Sequence, residues 1–438
     1  MERYLHTDWS PSSVSFDTGQ FSEVELLGTV TQYLKQGLSF WNRIGPGGSI
    51  TAKVVVHQGN VLFGACDKNF YCLTPEGTER WRFRTEGLIQ EGCAVGGNGV
   101  AYVGSTDGSL YAVDISTGEQ VWRFKTRGQV SEVPAIHRGR VYIGSEDKNF
   151  YCLDAATGKE IWRRPFREPN ACAPLIVNDR IYIGYAENAV YCLTLDGRVL
   201  WRFPTKGMVC SWPAAFFDNA IIVGCWDKNV YCLDAQTGKL RWKVGMTGAP
   251  MSPTVWKGRA YIGCSDNTAH CLDAKSGKLL WTFRMNDSGA SYFPVLDGIC
   301  YAPSLDKSVY ALDARTGKEL WRFKTSGMIM QATAFDGRVY AGSWDCNLYC
   351  LEAKTGALIW KFRTSIATPS RIEPPETSFI TTAQLAIAQE GEKEEDRYKS
   401  QVTGQAGSSQ YVIKSDYIVE HKYTKSRKIK SMTSGWED

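Results

Sequence analysis

Short apolar or alternating runs, separated by turn residues, fill most of this chain. In the stretch 139–162 such runs cover 140–144, 150–154 and 160–163, and Val, Ile, Tyr, Phe and Trp dominate them. A fourth run, 130–136, precedes the turn at 137–139. Runs of this length and content are typical of β-strands, and no long pattern of helical spacing separates them. The stretch therefore predicts four strands joined by tight turns.

This pattern of strands and turns returns at nearly constant intervals. A tryptophan recurs every 39 to 41 residues, each time with a glycine four positions before it. These tryptophans are Trp81, Trp122, Trp162, Trp201, Trp242, Trp281, Trp321 and Trp360. A fixed period of about 40 residues with four strands per repeat is typical of a propeller blade. The sequence predicts an all-β fold, an eight-bladed β-propeller of four-stranded antiparallel blades, over residues 44–365.

The tryptophans are predicted to have a structural role. Thr157 and Gly158 close a turn between the third and fourth strands, and the tryptophan that follows can cover the adjacent blade. An indole that buries about 200 Å² at about 25 cal/mol per Å² contributes about 5 kcal/mol as an upper figure. Losing one of these tryptophans should therefore destabilise the protein measurably.

The repeat resembles a known family. The stretches 153–162, 233–242 and 312–321 resemble the tryptophan-docking motif of the pyrroloquinoline-quinone-like (PQQ-like) propeller repeat, a family of quinoprotein dehydrogenases and BamB-like assembly scaffolds. The resemblance covers about residues 44–365, and it implies the fold far more than the function. WD40 propellers are the competing family, but the Trp-Asp dipeptides at 226–227 and 344–345 do not recur in the other repeats.

Charge and hydropathy exclude some classes of function. The net charge is only +4, so nucleic acid is not an expected partner. Basic residues follow most of the repeated tryptophans, and on an outer strand they are expected to block sheet-to-sheet association rather than to bind anions. No run of 18 apolar residues predicts a membrane span, and the first residues do not resemble a signal peptide. A cytoplasmic location is predicted.

The 14 cysteines indicate filling of the core rather than a disulfide framework. Six of them occupy one column of the repeat, where the other two blades have Ala112 and Ala311: Cys72, Cys152, Cys192, Cys232, Cys271 and Cys350. Alternation with alanine indicates a small apolar side chain. Neighbouring blades lie about 10 Å apart, too far for a disulfide. Free thiols are predicted.

No cofactor and no metal site is predicted. His270 replaces a tyrosine that the other seven repeats share, and we interpret it as a buried or partly buried structural histidine. An acidic column lies between the second and third strands: Asp67, Asp107, Asp147, Glu187, Asp227, Asp266, Asp306 and Asp345. Its eightfold recurrence favours turn chemistry, in which the carboxylate accepts from backbone amides, over a ring of calcium ligands or catalytic acids.

Differences between the repeats concentrate on the first strands, which line the central channel of a propeller. They include aromatic, thioether and small polar side chains, which predict either a shallow ligand pocket or peptide-binding rim, or simple plugging of the channel. As a hypothesis, protein partners bind at this channel face through Glu91, Glu132, Trp212, Met251, Tyr292, Phe293 and Met330. The two glutamates would set the charge preference.

Three functions follow from these features. The first is a non-catalytic scaffold for protein–protein interaction or assembly. The second is a quinoprotein-type dehydrogenase using PQQ and calcium, which the family resemblance would imply together with an adjacent Cys-Cys pair and a Glu-Asn-Asp calcium set. The chain has no Cys-Cys dipeptide, and no positions match the calcium set. The third is a regulatory propeller that senses a small ligand at the channel. The scaffold is preferred.

Two segments flank the array. In residues 1–43, apolar residues at helical spacing over 26–34 predict a short capping helix. Gly37 and Trp41 instead reproduce the motif's spacing and indicate an extra outer strand, and the sequence does not choose between the two. Residues 366–438 predict a proline-containing linker and a charged, partly disordered tail that ends in a basic run at 422–430.

Overall fold

The computed structural model describes residues 48–168, 173–185, 188–209, 214–289, 292–364 and 372–373. These residues form eight antiparallel sheets arranged in a ring, so the predicted eight-bladed β-propeller is confirmed. The proposed capping helix or extra strand in 1–43 lies outside the described residues. So does the C-terminal tail, apart from 372–373. No helix among the described residues is long and apolar enough to cross a membrane.

Each blade is a meander of four consecutive strands. In blades 1 to 4 they are β1 Val55–His57, β2 Asn60–Gly64, β3 Asn69–Leu73 and β4 Glu79–Arg84; β5 Cys93–Val95, β6 Val100–Gly104, β7 Ser109–Asp114 and β8 Gln120–Lys125; β9 Ala135–His137, β10 Arg140–Gly144, β11 Asn149–Asp154 and β12 Glu160–Pro165; and β13 Leu175–Val177, β14 Arg180–Tyr185, β15 Ala189–Thr194 and β16 Val199–Pro204.

Blades 5 to 8 repeat this order. Their strands are β17 Ala215–Phe217, β18 Ala220–Cys225, β19 Asn229–Asp234 and β20 Leu240–Gly245; β21 Thr254–Trp256, β22 Arg259–Cys264, β23 Thr268–Asp273 and β24 Leu279–Arg284; β25 Val295–Leu296, β26 Ile299–Pro303, β27 Ser308–Asp313 and β28 Glu319–Lys324; and β29 Ile329–Phe335, β30 Arg338–Ser343, β31 Asn347–Glu352 and β32 Leu358–Arg363. Blade 8 has a fifth strand, β33 Ile372–Glu373, inside the segment that the sequence predicts to be a linker.

The hydrophobic core lies between blades rather than inside one. Each of eight buried clusters joins side chains of two neighbouring blades, and one of them joins blade 8 to blade 1. Middle strands are buried on both faces, as β3 shows, because a blade is covered on both sides. The outer strands mix exposed and partly buried residues, as β4 and β12 show.

Ring closure uses contacts between the two ends of the array. The Ile50 amide donates to the Ser343 carbonyl at 3.1 Å, and Thr333 Oγ1 donates to the Val54 carbonyl at 2.8 Å. The four strands of blade 1 all come from the beginning of the array, and those of blade 8 all come from its end. In the described residues, therefore, packing and these hydrogen bonds close the ring without any exchange of strands.

Candidate functional site

Each repeated tryptophan contacts the next blade. Trp122 Nε1 donates to the Ala155 carbonyl at 3.0 Å. A Cβ added to Gly158 would lie only 2.6 Å from Cδ2 of the Trp122 indole, so the ring occupies the space that a side chain would need. The same pair of contacts occurs in all eight blades, and Trp360 reaches back to Pro75 and Gly77 of blade 1. The glycine four residues before each tryptophan thus receives the indole of the preceding blade.

Asp147 of the acidic column accepts hydrogen bonds from its own turn and from the loop that leads into its blade. Asp147 accepts from the Asn149 amide at 3.0 Å, the Arg127 amide at 3.1 Å and the Tyr151 hydroxyl at 2.6 Å. The Arg163 guanidinium lies 5.5 Å from the centre of the Tyr151 ring. Burial raises the pKa of Asp147, but these hydrogen bonds outweigh it and lower the pKa overall. The predicted turn chemistry is confirmed at Asp147, because both of its carboxylate oxygens already have hydrogen-bond partners.

The basic residues next to the tryptophans belong to this same arrangement. In six blades an arginine or lysine lies 4.5 to 5.6 Å from the centre of the repeated tyrosine ring of the third strand. The charged group lies over the tyrosine ring, and in Arg163, Arg202, Lys243 and Arg322 the residue is still exposed to solvent. The expectation that these basic residues block sheet-to-sheet association at the outer edge stays a prediction.

The column cysteines are buried beneath the tryptophan strand. Cys72 pairs with Trp81, and Cys152 pairs with Trp162. Burial raises the pKa of the Cys72 thiol to about 12 and that of the Cys152 thiol to about 11. They are small filling side chains, as predicted, with little thiolate at neutral pH.

The residues predicted to bind partners at the channel have little accessible surface. Met251 and Met330 are each 1% exposed, while Glu91, Glu132 and Tyr292 are 6 to 7% exposed. Phe293 is fully buried in the cluster between blades 6 and 7, so its assignment to a ligand-facing surface is wrong. Trp212 lies outside the described residues.

Side chains from four consecutive blades, 7, 8, 1 and 2, contact one another at the channel. Gln331 Nε2 of blade 8 donates to Glu91 Oε2 of blade 2 at 2.6 Å. Lys53 Nζ lies 4.6 Å from the centre of the Tyr292 ring, just before blade 7. Each contact spans an intervening blade, so these side chains occupy part of the channel. Sequence reasoning did not identify Lys53, which lies just before the first strand of blade 1.

Some buried polar atoms near the channel have no hydrogen-bond partner among the described residues. They are Gln90 Oε1, Ser131 Oγ and Ser252 Oγ, all at or beside the entrances to first strands. An unpaired buried polar atom costs about 1 to 3 kcal/mol, so each of these atoms favours a water or a polar ligand.

Each outer strand has a β-bulge, and in blades 2 to 6 apolar side chains at or beside the bulge are exposed. In blade 3, Cys152 pairs with Trp162 and Leu153 with Glu160, which leaves Ile161 unpaired. Ile161 is 45% exposed, and the bulge residue Leu200 of blade 4 is 46% exposed. Seven large apolar residues of blades 2 to 6 are 37 to 52% exposed in this region: Val121, Ile161, Val199, Leu200, Leu240, Leu279 and Leu280.

Glu146, at the turn between β10 and β11, predicts a pH dependence of stability. Burial raises the pKa of its carboxyl to about 7, and its Oε1 has no hydrogen-bond partner among the described residues. A folded-state pKa above the unfolded value destabilises the fold increasingly as the pH rises from about 4.5 to 7. Glu146→Gln should therefore raise the free energy of unfolding at pH 8 by about 1 to 3 kcal/mol, and by less at pH 5. Denaturant unfolding at both pH values measures this, and an equal effect at both would contradict the shifted pKa.

Comparison with known proteins agrees with this architecture. Residues 66–150, 131–211, 186–299 and 305–378 match the family model described as "Outer membrane protein assembly factor BamB". The crystal structure of BamB from Moraxella catarrhalis is 17% identical, with a TM-score of 0.60, and the match covers 67% of this chain and 94% of that one. The computationally designed Ika8 protein is also 17% identical, with a TM-score of 0.61, covering 70% and 97%. At this identity both structures show the fold alone.

Comparison with curated proteins gives no match. The family model nevertheless covers well over half of the residues, in four matches that together run through most of the propeller. The chain therefore belongs to the BamB-like family of PQQ-like repeat propellers.

Proposed function

We propose that the protein is a non-catalytic β-propeller scaffold that binds extended protein segments at the outer edges of blades 2 to 6. The observation that carries this proposal is the exposed apolar side chains at and beside the bulges of these blades. Blades 1 and 5 have Arg80 and Arg241 at the bulge, so the fold does not require an apolar residue there. Apolar surface that a fold does not need is typical of an interaction site.

Blade 8 indicates how such a segment would bind. Its outer strand β32 pairs with β33 beyond the bulge, in the register Lys361 with Glu373 and Phe362 with Ile372. Addition of a strand satisfies backbone groups at the edge, while side chains give specificity. The outer strands also carry exposed basic residues, such as Lys125 and Arg284. We therefore propose partner segments in which apolar and acidic residues alternate.

The family's dehydrogenase members raise the question of a quinone site. PQQ with calcium does not fit the residues at this channel. The Glu91 carboxylate is hydrogen-bonded to Gln331 at 2.6 Å, and the sequence has no adjacent cysteine pair. The proposal of a non-catalytic role rests on this mismatch, and the absence of alcohol or sugar turnover after addition of PQQ and calcium is its test.

A second candidate function is the sensing of a small polar ligand in the channel. The unpaired buried atoms of Gln90, Ser131 and Ser252 favour it, because a ligand could supply their missing hydrogen bonds. A cytoplasmic location remains part of both proposals.

The scaffold proposal is tested by comparing two surface variants. Ile161→Arg with Leu200→Arg places at two bulges the residue that blades 1 and 5 already have, so folding should be unaffected. Trp212→Ala with Tyr292→Ala changes the channel face instead. We expect capture of partners from a cell lysate, quantified by mass spectrometry, to fall in the first variant and persist in the second. The opposite pattern would place binding at the channel, and turnover with PQQ and calcium would refute the non-catalytic role.

A further inference from the structure

Blade 6 differs from the other blades at positions that meet around Asp266. His270 replaces the tyrosine whose hydroxyl contacts the column carboxylate, and Thr282 replaces the arginine or lysine above that ring. Thr268 stands where the other blades have Asn, Ser or Ala. Cys264 ends the second strand, a position that is Ser in four of the blades and is shared only with Cys225 of blade 5. Several coordinated changes around one carboxylate indicate a local function rather than drift.

The changes remove a positive charge from beside a carboxylate that remains. In blade 5, for example, Lys243 Nζ lies 5.2 Å from the centre of the Tyr231 ring, and the Tyr231 hydroxyl donates to Asp227 at 2.6 Å. In blade 6 the neutral Thr282 takes the place of that lysine. A cation bound near Asp266 would restore the charge balance that the other blades have.

The hydrogen bonds of blade 6 connect three of the altered residues. Without a bound ion, Thr268 Oγ1 donates to Asp266 Oδ1 and therefore accepts from His270 Nε2, 2.8 Å away. His270 Nδ1 lies 2.9 Å from Thr282 Oγ1. The histidine is 8% exposed, which confirms that it is buried.

We propose that Cys264, Asp266 and His270 form a binding site for a divalent transition-metal ion such as Zn²⁺. Their sulfur, oxygen and nitrogen ligand atoms all lie within 4.8 Å of one another. A thiolate, a carboxylate and an imidazole suit a borderline-soft ion, and water can complete the coordination because Asp266 is partly exposed. Binding would release the Cys264 proton to solvent. This proposal departs from the sequence-based expectation of no metal site.

Thr282 fits this site in a way that lysine or arginine cannot. An ion bound at Nε2 would replace the hydrogen bond to Thr268 and leave the imidazole proton on Nδ1, where it needs an acceptor to orient the ring. The Thr282 hydroxyl can accept that proton, whereas ammonium and guanidinium groups only donate. We therefore assign Thr282 as a positioning residue for His270.

In the test, the reduced, chelator-treated full-length protein is titrated with Co²⁺, and thiolate-to-cobalt charge-transfer absorption measures binding. The bound cobalt is then displaced by Zn²⁺. We expect one equivalent to bind to the wild type. Cys264→Ser should remove the thiolate band. It should also weaken cobalt binding more than the loss of an outer-shell partner does, which is about 10- to 100-fold. The matched control is Cys225→Ser, since Cys225 holds the same position in blade 5 beside Tyr231 and Lys243. It should bind cobalt like the wild type.

A second variant keeps the test valid if Cys264→Ser does not fold. His270→Tyr with Thr282→Lys installs the arrangement of blade 5, so it should fold and lose cobalt binding. The proposal is overturned if the wild type binds no cobalt, if both cysteine variants keep the same band and Kd, or if this double variant binds as tightly as the wild type.

Discussion

Replacing Trp321 by alanine is expected to lower the free energy of unfolding by about 3 to 5 kcal/mol. The indole is 1% exposed, donates to the Ala353 carbonyl at 3.1 Å and lies against Gly356 of the next blade. The change therefore removes apolar burial and a hydrogen bond that joins blades 7 and 8. Denaturant unfolding measures the loss.

The comparison variant is Trp201→Ala. Trp201 makes the same hydrogen bond, to Ala235 at 3.1 Å, but it is only partly buried. Its cost should be about 2 to 3 kcal/mol, because less apolar area is removed from contact. Unchanged unfolding in both variants would show that the column does not stabilise the ring. A larger loss for Trp201 than for Trp321 would show that burial does not set the cost.

The fold could be predicted from the sequence because its determinants recur eight times. One repeat shows strands, turns and a tryptophan, and the eightfold period indicates that these units form a propeller. The acidic turn was predictable for the same reason: Asp147 contacts Asn149 and Tyr151 within its own repeat. Local contacts leave a local sequence pattern.

Contacts between distant repeats could not be predicted in this way. Glu91 and Gln331 are 240 residues apart and meet only because the ring closes. The burial of Phe293 likewise depends on how blades 6 and 7 pack. The pattern at the first strands showed that residues differ between repeats, but whether such a residue faces a ligand or the core is decided by packing between blades.

Blade 6 lies between these cases. His270 was recognised as the exception in a column of tyrosines, but its partner Thr282 lies in a different column of the repeat. Strand pairing brings the two columns together, since His270 pairs directly with Thr282. Reading departures in several columns at once, rather than one at a time, would have found this cluster from the sequence.

Gly356→Ala is expected to lower the free energy of unfolding by about 3 kcal/mol, for two separable reasons. Gly356 has a φ of +74°, which L side chains rarely adopt. An added Cβ would also lie 2.6 Å from Cε3 of Trp321, so the indole would have to leave its place and lose its hydrogen bond.

Gly337→Ala separates the two contributions. Gly337 lies in the same blade with a φ of +73°, and a Cβ there would meet nothing within 4 Å. It should therefore cost only the backbone strain, about 1 kcal/mol. In a Trp321→Ala background the clash at Gly356 disappears, so Gly356→Ala should then also cost about 1 kcal/mol, a coupling of about 2 kcal/mol. If Gly356→Ala costs no more than Gly337→Ala, or if its cost is the same with and without Trp321, then the glycine is required for its backbone conformation alone and not as the surface on which the tryptophan docks.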